Sequence, residues 1–195
     1  MADKNLIEKP ISSKEIFDGK ILHVVHDTVE LPNGAEAYRE VIRHTGAVCV
    51  IPVTEDGMVV MERQYRYPIA RVMLEIPAGK LEIGEDPLEG GLRELEEETG
   101  IVAGKMTCLG ELLPAPAYCD EKITMYLATE LTRKERHLDE DEFLDVFEMP
   151  LSELVRMVMD GEIADAKTQI TVLKADRLLN GEGGKRKADL RKYTV

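Results

Sequence analysis

The residues most capable of chemistry lie between Gly79 and Ile101, in the segment GKLEIGEDPLEGGLRELEEETGI. Glu94, Glu97 and Glu98 stand at i, i+3 and i+4, which places their carboxylates on one face of a helix. Like charges so arranged repel, so a compensating cation is expected. Hard oxygen donors in a cluster suit Mg2+ or Mn2+ better than zinc. The plainer alternative is a solvated, glutamate-rich helix face. A second acidic run, His137 to Glu142 (HLDEDE), reads first as a solvated loop. The histidines offer no rival chemistry. His23 and His26 are three apart in a strand-like run and point to opposite faces, and neither His44 nor His137 has a Ser or Cys nucleophile in a recognisable motif. P-loop and Rossmann fingerprints are absent from the sequence.

These carboxylates need a helix to carry them, and the flanks supply one. Asp86 is a good N-cap, Pro87 suits the first helical position, and Glu89 fits a capping box. Gly100 supplies a left-handed stop. Leu88, Leu92 and Leu95 mark the core side of the predicted helix 87–99. Gly90 and Gly91 cost about 1 kcal/mol each against alanine in mid-helix, which makes sense if another backbone packs closely there. Two further helices are predicted over 151–160 and 166–179, the first stopped by Gly161. Strands are predicted over 21–31 and 35–44, paired through Pro32-Asn33-Gly34, and over 46–53, 58–64, 105–113, 122–131 and 143–148. This order suggests an α+β or α/β sandwich: a mixed β-sheet flanked by helices, with additional N-terminal antiparallel strands. Arg63 sits three residues before Arg66, so an extended chain puts the two on opposite faces.

The whole-chain balance narrows the partners. In 195 residues, 25 basic against 38 acidic side chains leave a net charge of −13, which argues against nucleic acid. Three cysteines without metal-like spacing argue against a disulfide framework or zinc site, and Cys49 and Cys108 read as buried thiols. The N-terminal MADKNLIEKP lacks the apolar core of a signal peptide, and no run suits a membrane span, so a soluble cytoplasmic protein is expected. Residues 1–45 are expected to form an N-terminal β region, 46–180 the main domain, and 181–195 a basic, flexible tail.

The segment Gly79 to Ile101 resembles the signature of the Nudix hydrolases. Gly79, Glu85, Arg93, Glu94, Leu95, Glu97, Glu98, Gly100 and Ile101 fill its fixed positions. The resemblance implies an α/β/α sandwich and metal-dependent hydrolysis of a nucleoside diphosphate linked to another group. It implies metal ligation by Glu94, Glu98 and Glu97 with the Ala78 carbonyl, more than one ion per site, and a Glu85–Arg93 pair that orients the loop. Gly79 and Gly100 are structural positions of the motif.

The flanks are similar to the ADP-ribose pyrophosphatase group: ERQYRYPIARVMLEIPAGKLE from Glu62, Tyr38-Arg39-Glu40, PAPAYCDEKITMYLA from Pro114, and DEDEFLDV from Asp139. This narrower likeness implies cleavage of ADP-ribose to AMP and ribose 5-phosphate, with another nucleoside diphosphate sugar (an ADP- or GDP-hexose) as the alternative and a catalytically silent nucleotide sensor as the remaining one. Pro116 matches a proline that accompanies ADP-ribose preference, although the group's usual Pro-Gly is Pro116-Ala117 here. Arg66 matches an arginine on the pyrophosphate. Arg39 matches one that reaches substrate held mainly by a partner subunit, which implies a homodimer through the N-terminal strands. The acidic loop then carries the catalytic base at Glu140 and a metal ligand at Glu142, with Asp139 and Asp141 not separated from that role and Glu97 next in line. Phe17 and Tyr38 are open alternatives for stacking on adenine.

Overall fold

The computed structural model describes residues 5–138 and 143–181. The chain divides into two compact units, one comprising Met1–Thr45 with Leu113–Lys122 and the other Gly46–Leu112 with Ile123–Val195. Glu140, Glu142 and their acidic neighbours Asp139 and Asp141 lie outside the described residues, as does the basic tail from residue 182.

The first unit is an antiparallel sheet of β1 (Lys9–Asp18), β2 (His23–Glu30) and β3 (Glu36–Arg43), in that order. The β2–β3 hairpin turns where the sequence puts Asn33-Gly34. Gly34 has φ +84°, the left-handed conformation that glycine adopts without strain, and the Leu31 N–H donates to Ala35 O at 2.8 Å. β1 is not anticipated by the sequence reading. All ten of its residues are exposed, so its KPISSKEIFD sequence carries no buried alternation to betray it. Segment 113–122 docks on β3 through an isolated parallel bridge, Ile42 with Cys119. Asp120 fixes it there by accepting from the His44 N–H at 2.8 Å and from Arg43 Nη1 at 3.1 Å.

The second unit contains β4 (Ala47–Pro52), β5 (Met58–Arg66), β6 (Arg71–Glu75), β7 (Ala78–Lys80), α1 (Pro87–Thr99), β8 (Ile101–Leu112), β9 (Ile123–Arg133), β10 (Leu144–Pro150), α2 (Leu151–Met159) and α3 (Ala166–Leu179). One sheet runs β7-β4-β9-β8, and a second runs β10-β5-β6. The first is mixed, since β4 and β9 are parallel while β7 and β8 are antiparallel to their neighbours. β6 and β7, too short to be legible as strands, lead into the helix that carries the carboxylates.

β4 is buried on both faces and sorts its side chains by period two. Cys49 and Ile51 join Val59, Met61, Leu154, Val172 and Ala175 in the core under α2 and α3. Val48 and Val50 join Val60, Leu95 and Tyr126 under α1. The outcome is the helix, sheet, helix layering expected. Burying Leu95 completely is worth about 1.5–3 kcal/mol, so this one leucine contributes much to seating α1. The wholly buried Cys49 thiol lies 3.6 Å from Thr171 Oγ1, and burial pushes its pKa up to about 11 against that contact.

Candidate active site

Helix α1 is held at both ends as its sequence demands. The Asp86 carboxylate accepts from the Leu88 N–H at 2.8 Å and the Glu89 N–H at 3.4 Å, with Pro87 at the first position. Gly100 closes the helix at φ +70°, its N–H donating to Glu96 O at 2.8 Å. The mid-helix glycines answer to side chains and not to a neighbouring backbone, which corrects the sequence expectation. A Cβ at Gly90 would stand 2.5 Å from Leu81 Cδ2, and one at Gly91 would stand 3.1 Å from Val48 Cγ2.

Arg93 organises the carboxylates. Its Nε and Nη2 form a fork on Glu85 at 2.9 and 3.0 Å, Nη1 donates to Glu94 at 2.9 Å and Glu97 at 3.0 Å, and Nη2 also reaches Lys80 O at 3.3 Å. The cation that the repelling carboxylates require is therefore supplied, for Glu94 and Glu97, by the chain itself. The Arg93 fork, with help from the Glu82 N–H, holds the Glu85 carboxyl down to about 2. The same carboxylates raise the guanidinium pKa, Glu85 foremost.

Glu98 is buried, and its Oε2 accepts from the Ala78 N–H at 3.0 Å, tying α1 to β7. Gly79 is glycine because of space: a Cβ there would lie 2.0 Å from the Glu94 carboxyl carbon. Among the described residues no three His, Cys, Asp or Glu side chains converge as a ready metal cage. Arg93 draws Glu94 and Glu97 to itself while Glu98 turns to the Ala78 amide. The donor set is nonetheless oxygen only, and the bare backbone at Gly79 against Glu94 is a cradle that any side chain would fill. Such a set fits a hard divalent cation.

A second group of charges forms at the end of β5. Arg66 Nε and Nη2 fork onto Glu75 at 2.7 and 2.8 Å. Glu75 is 3% exposed and also receives Lys167 of α3, which in turn lies 3.1 Å from Asp165. Burial would raise the Glu75 pKa, but the Arg66 hydrogen bonds and the Lys167 charge hold it below its ordinary value. Arg66 is raised mainly by its Glu75 hydrogen bonds and is also within electrostatic reach of Glu98. Sequence reasoning did not find Glu75 or Lys167. The available signal was a lone acid inside the apolar run Val72-Met73-Leu74-Glu75-Ile76, which must find cations if buried. Arg63, left outside the site, pairs with Asp145 at 3.0 Å and stacks over Phe147.

The remaining candidates belong to the first unit. Arg39 forks onto Glu8, with Nε to Oε2 at 3.0 Å, and its Nη1 donates to Tyr38 O at 2.8 Å. Pro116 lines a cavity of about 290 Å³ with Val41, Leu113, Tyr118 and Cys119. Phe17 and Tyr38 are both exposed, so neither is a core residue, and the Tyr38 ring sits 4.9 Å from that of His26. In the second unit, the stretch that precedes the acidic loop is fastened to α1. Lys134 N–H donates to Gly100 O at 2.7 Å and His137 N–H to Glu97 O at 3.2 Å. A Cβ on Gly100 would meet Lys134 O at 2.5 Å, so this glycine admits the strand exit as well as ending the helix.

A loop and helix bearing oxygen donors, mounted on an α/β/α sandwich, suit metal-assisted hydrolysis. Comparison with known proteins gives the family. Residues 43–171 match the Nudix domain and residues 8–42 match the nucleoside diphosphate sugar hydrolase N-terminal domain. The chain belongs to the Nudix hydrolases, a family that is generally dependent on divalent metal. It is 44% identical over 171 residues to an ADP-ribose pyrophosphatase of Bacillus subtilis (strain 168), covering 87% of this chain and 92% of that one. It is also 46% identical over 167 residues to a methanol dehydrogenase activator of Bacillus methanolicus, covering 85% and 90%. A solved structure described as an ADP compounds hydrolase superposes with a TM-score of 0.79 at 26% identity, over 90% of this chain and 96% of that one.

Proposed function

We propose that this protein hydrolyses ADP-ribose to AMP and ribose 5-phosphate with Mg2+ or Mn2+, using more than one ion per site. The observation that carries this reading is 44% identity to an ADP-ribose pyrophosphatase across 87% of the chain, on a structure where bare backbone at Gly79 faces the Glu94 carboxylate. Glu94, Glu97 and Glu98, the Ala78 carbonyl and Glu142 would hold the ions, which supply charge neutralisation at the phosphate oxygens.

The rest falls to the chain's own groups. Arg66 offers N–H donors to the pyrophosphate, where a planar fork suits phosphate oxygens. Glu140 takes a proton from water as its oxygen bonds to phosphorus and the bridging P–O bond breaks, the displaced oxygen leaving with the second phosphate product. Glu97 is the next choice for that base. The Arg93–Glu85 fork, Gly79 and Gly100 keep the loop and helix in register. Arg39 serves a substrate held by a partner subunit, and Pro116 shapes the substrate loop. Residues 1–45 act as the dimerisation element and residues 46–180 as the hydrolase domain. The net charge of −13 and three free cysteines suit a cytoplasmic enzyme without nucleic-acid partners. Among the described residues no helix is long and apolar enough to cross a membrane.

A second reading, hydrolysis of an ADP- or GDP-hexose, is favoured by the N-terminal match to a nucleoside diphosphate sugar hydrolase domain. Incubation with Mg2+ and a panel of both sugar classes, with products resolved chromatographically, separates the two. AMP and ribose 5-phosphate formed fastest from ADP-ribose is the expected result, faster release of a hexose phosphate moves the assignment, and no turnover of any compound overturns both. In the same assay Glu140→Gln lowers kcat by about 10²–10⁴ with little change in KM. Glu142→Gln instead raises the metal concentration for half-activity, and equal small losses in both transfer the base to Glu97. Sedimentation at micromolar concentration is expected to give a dimer, and a fully active monomer contradicts that arrangement.

A further inference from the structure

The buried carboxylate beside Arg66 has two cationic partners. Glu75 forks with Arg66 and receives Lys167, whose side chain is only 12% exposed. Lys167 also approaches Asp165 at 3.1 Å, so Arg66, Lys167, Glu75 and Asp165 form a charge-balanced group. The N-cap of α3 braces it from below. Asp165 accepts from the Thr168 N–H at 2.9 Å and from its hydroxyl at 2.6 Å, and Thr168 Oγ1 accepts from the Ile76 N–H at 3.1 Å. Ile76 directly precedes Pro77 and Ala78, whose amide holds Glu98. One turn of α3 therefore grips both the partner of Arg66 and the chain that leads into the carboxylate loop.

The geometry of the fork decides what it is for. Nε and one N–H of Nη2 face Glu75, so the opposite edge of the guanidinium, carrying Nη1 and the second N–H of Nη2, points away from it. The Arg66 side chain is 41% exposed, whereas that of Glu75 is 4% exposed. Arg66 takes both oxygens of Glu75, and Lys167 of α3 adds a second cation on Oε2. A carboxylate held by the arginine alone can move with it, whereas one tied to α3 as well is fixed in place, and it fixes the plane of Arg66.

We propose that Lys167, acting through Glu75, is a positioning residue that aims the free edge of Arg66 at the substrate pyrophosphate. The proposal rests on Arg66 binding that group, as given under Proposed function. Lys167 itself touches no substrate. Its charge pins the carboxylate that orients the arginine, from a helix far along the sequence.

A double-mutant cycle in Arg66→Ala and Lys167→Met tests this, read as equilibrium binding of ADP-ribose in EDTA, where turnover is arrested, and as KM and kcat with Mg2+. Lys167→Met is expected to weaken binding and raise KM about tenfold while kcat changes less than about threefold. In the Arg66→Ala background the same change is expected to alter binding less than about twofold. Lys167→Arg, which keeps the cation, recovers most of the lost affinity. A full additional loss in the Arg66→Ala background means that Lys167 acts structurally, and it overturns the proposal. No loss in Lys167→Met, beside a large one in Arg66→Ala, overturns it while leaving the pyrophosphate reading intact. No effect of Arg66→Ala removes that reading and the proposal together. Should Lys167→Met fail to fold, Glu75→Gln replaces it in the same cycle, with the same non-additivity expected and full additivity again decisive against the proposal.

Discussion

Two charged regions of the hydrolase unit are built around an arginine forked onto a glutamate, and they differ in what the fork leaves over. Arg93 is saturated: its fork on Glu85, its contacts to Glu94 and Glu97 and its reach to Lys80 O engage every nitrogen. Arg66 commits one edge to Glu75 and, among the described residues, keeps the other. A saturated guanidinium is a brace, whereas one with an edge to spare is a hand held out. The regions differ in assembly too. The Arg93 group comes from one continuous stretch, while Glu75 and Lys167 are 92 residues apart.

Removing a carboxylate from the Arg93 side is the severest way to test this contrast. Glu98→Gln keeps an oxygen that can accept from the Ala78 N–H, so the fold is expected to survive. Turnover should fall by about 10³-fold or more, the equivalent of several kcal/mol of transition-state stabilisation. Near-normal kcat at saturating Mg2+ would end the assignment of this face to the metal site. A change confined to KM would blur the division between the two regions.

Gly79→Ala probes the fit more gently. The new Cβ meets the far end of the Glu94 side chain, which can move away at low cost, so the melting temperature should shift little. A displaced Glu94 is expected to lower kcat about 10- to 100-fold, because small misplacements at a reacting centre are costly. Unchanged kinetics would show that Glu94 has no fixed task.

The smallest effect concerns acid stability. Glu85 is held down to about 2, below its ordinary 4.5, so the fork stabilises the fold fully above about pH 4.5 and less as pH falls toward 2. Glu85→Gln should therefore be less stable than the wild type at pH 7, with the gap closing between pH 4.5 and 2 in urea unfolding. A gap independent of pH would mean that the fork contributes shape and not charge.

The same contrast explains what the sequence discloses. Helices 87–99 and 166–179 lie where the sequence reading puts them, and the first is plain because its punctuation is local: Asp86, Pro87 and Gly100. The Glu94, Glu97, Glu98 spacing is legible for the same reason. β1 is hidden because it buries nothing, and β6 and β7 because they are short. Glu75 and Lys167 are hidden because neither has meaning until β6 and α3 meet. Even Arg93, plain in the sequence as a partner of Glu85, does not reveal there that it also neutralises Glu94 and Glu97.

Cys49 turns the packing of β4 into something measurable by chemistry. Its thiol is wholly buried, beside Thr171, and at neutral pH it is almost entirely protonated, with a pKa about 11. Alkylating reagents attack thiolates that solvent can reach. Labelling of Cys49 is thus slaved to the opening of the central sheet, while Cys108 and Cys119, only partly buried, report on more local exposure. The rate at which this one sulfur reacts counts how often the interior comes apart, with no label added to the chain.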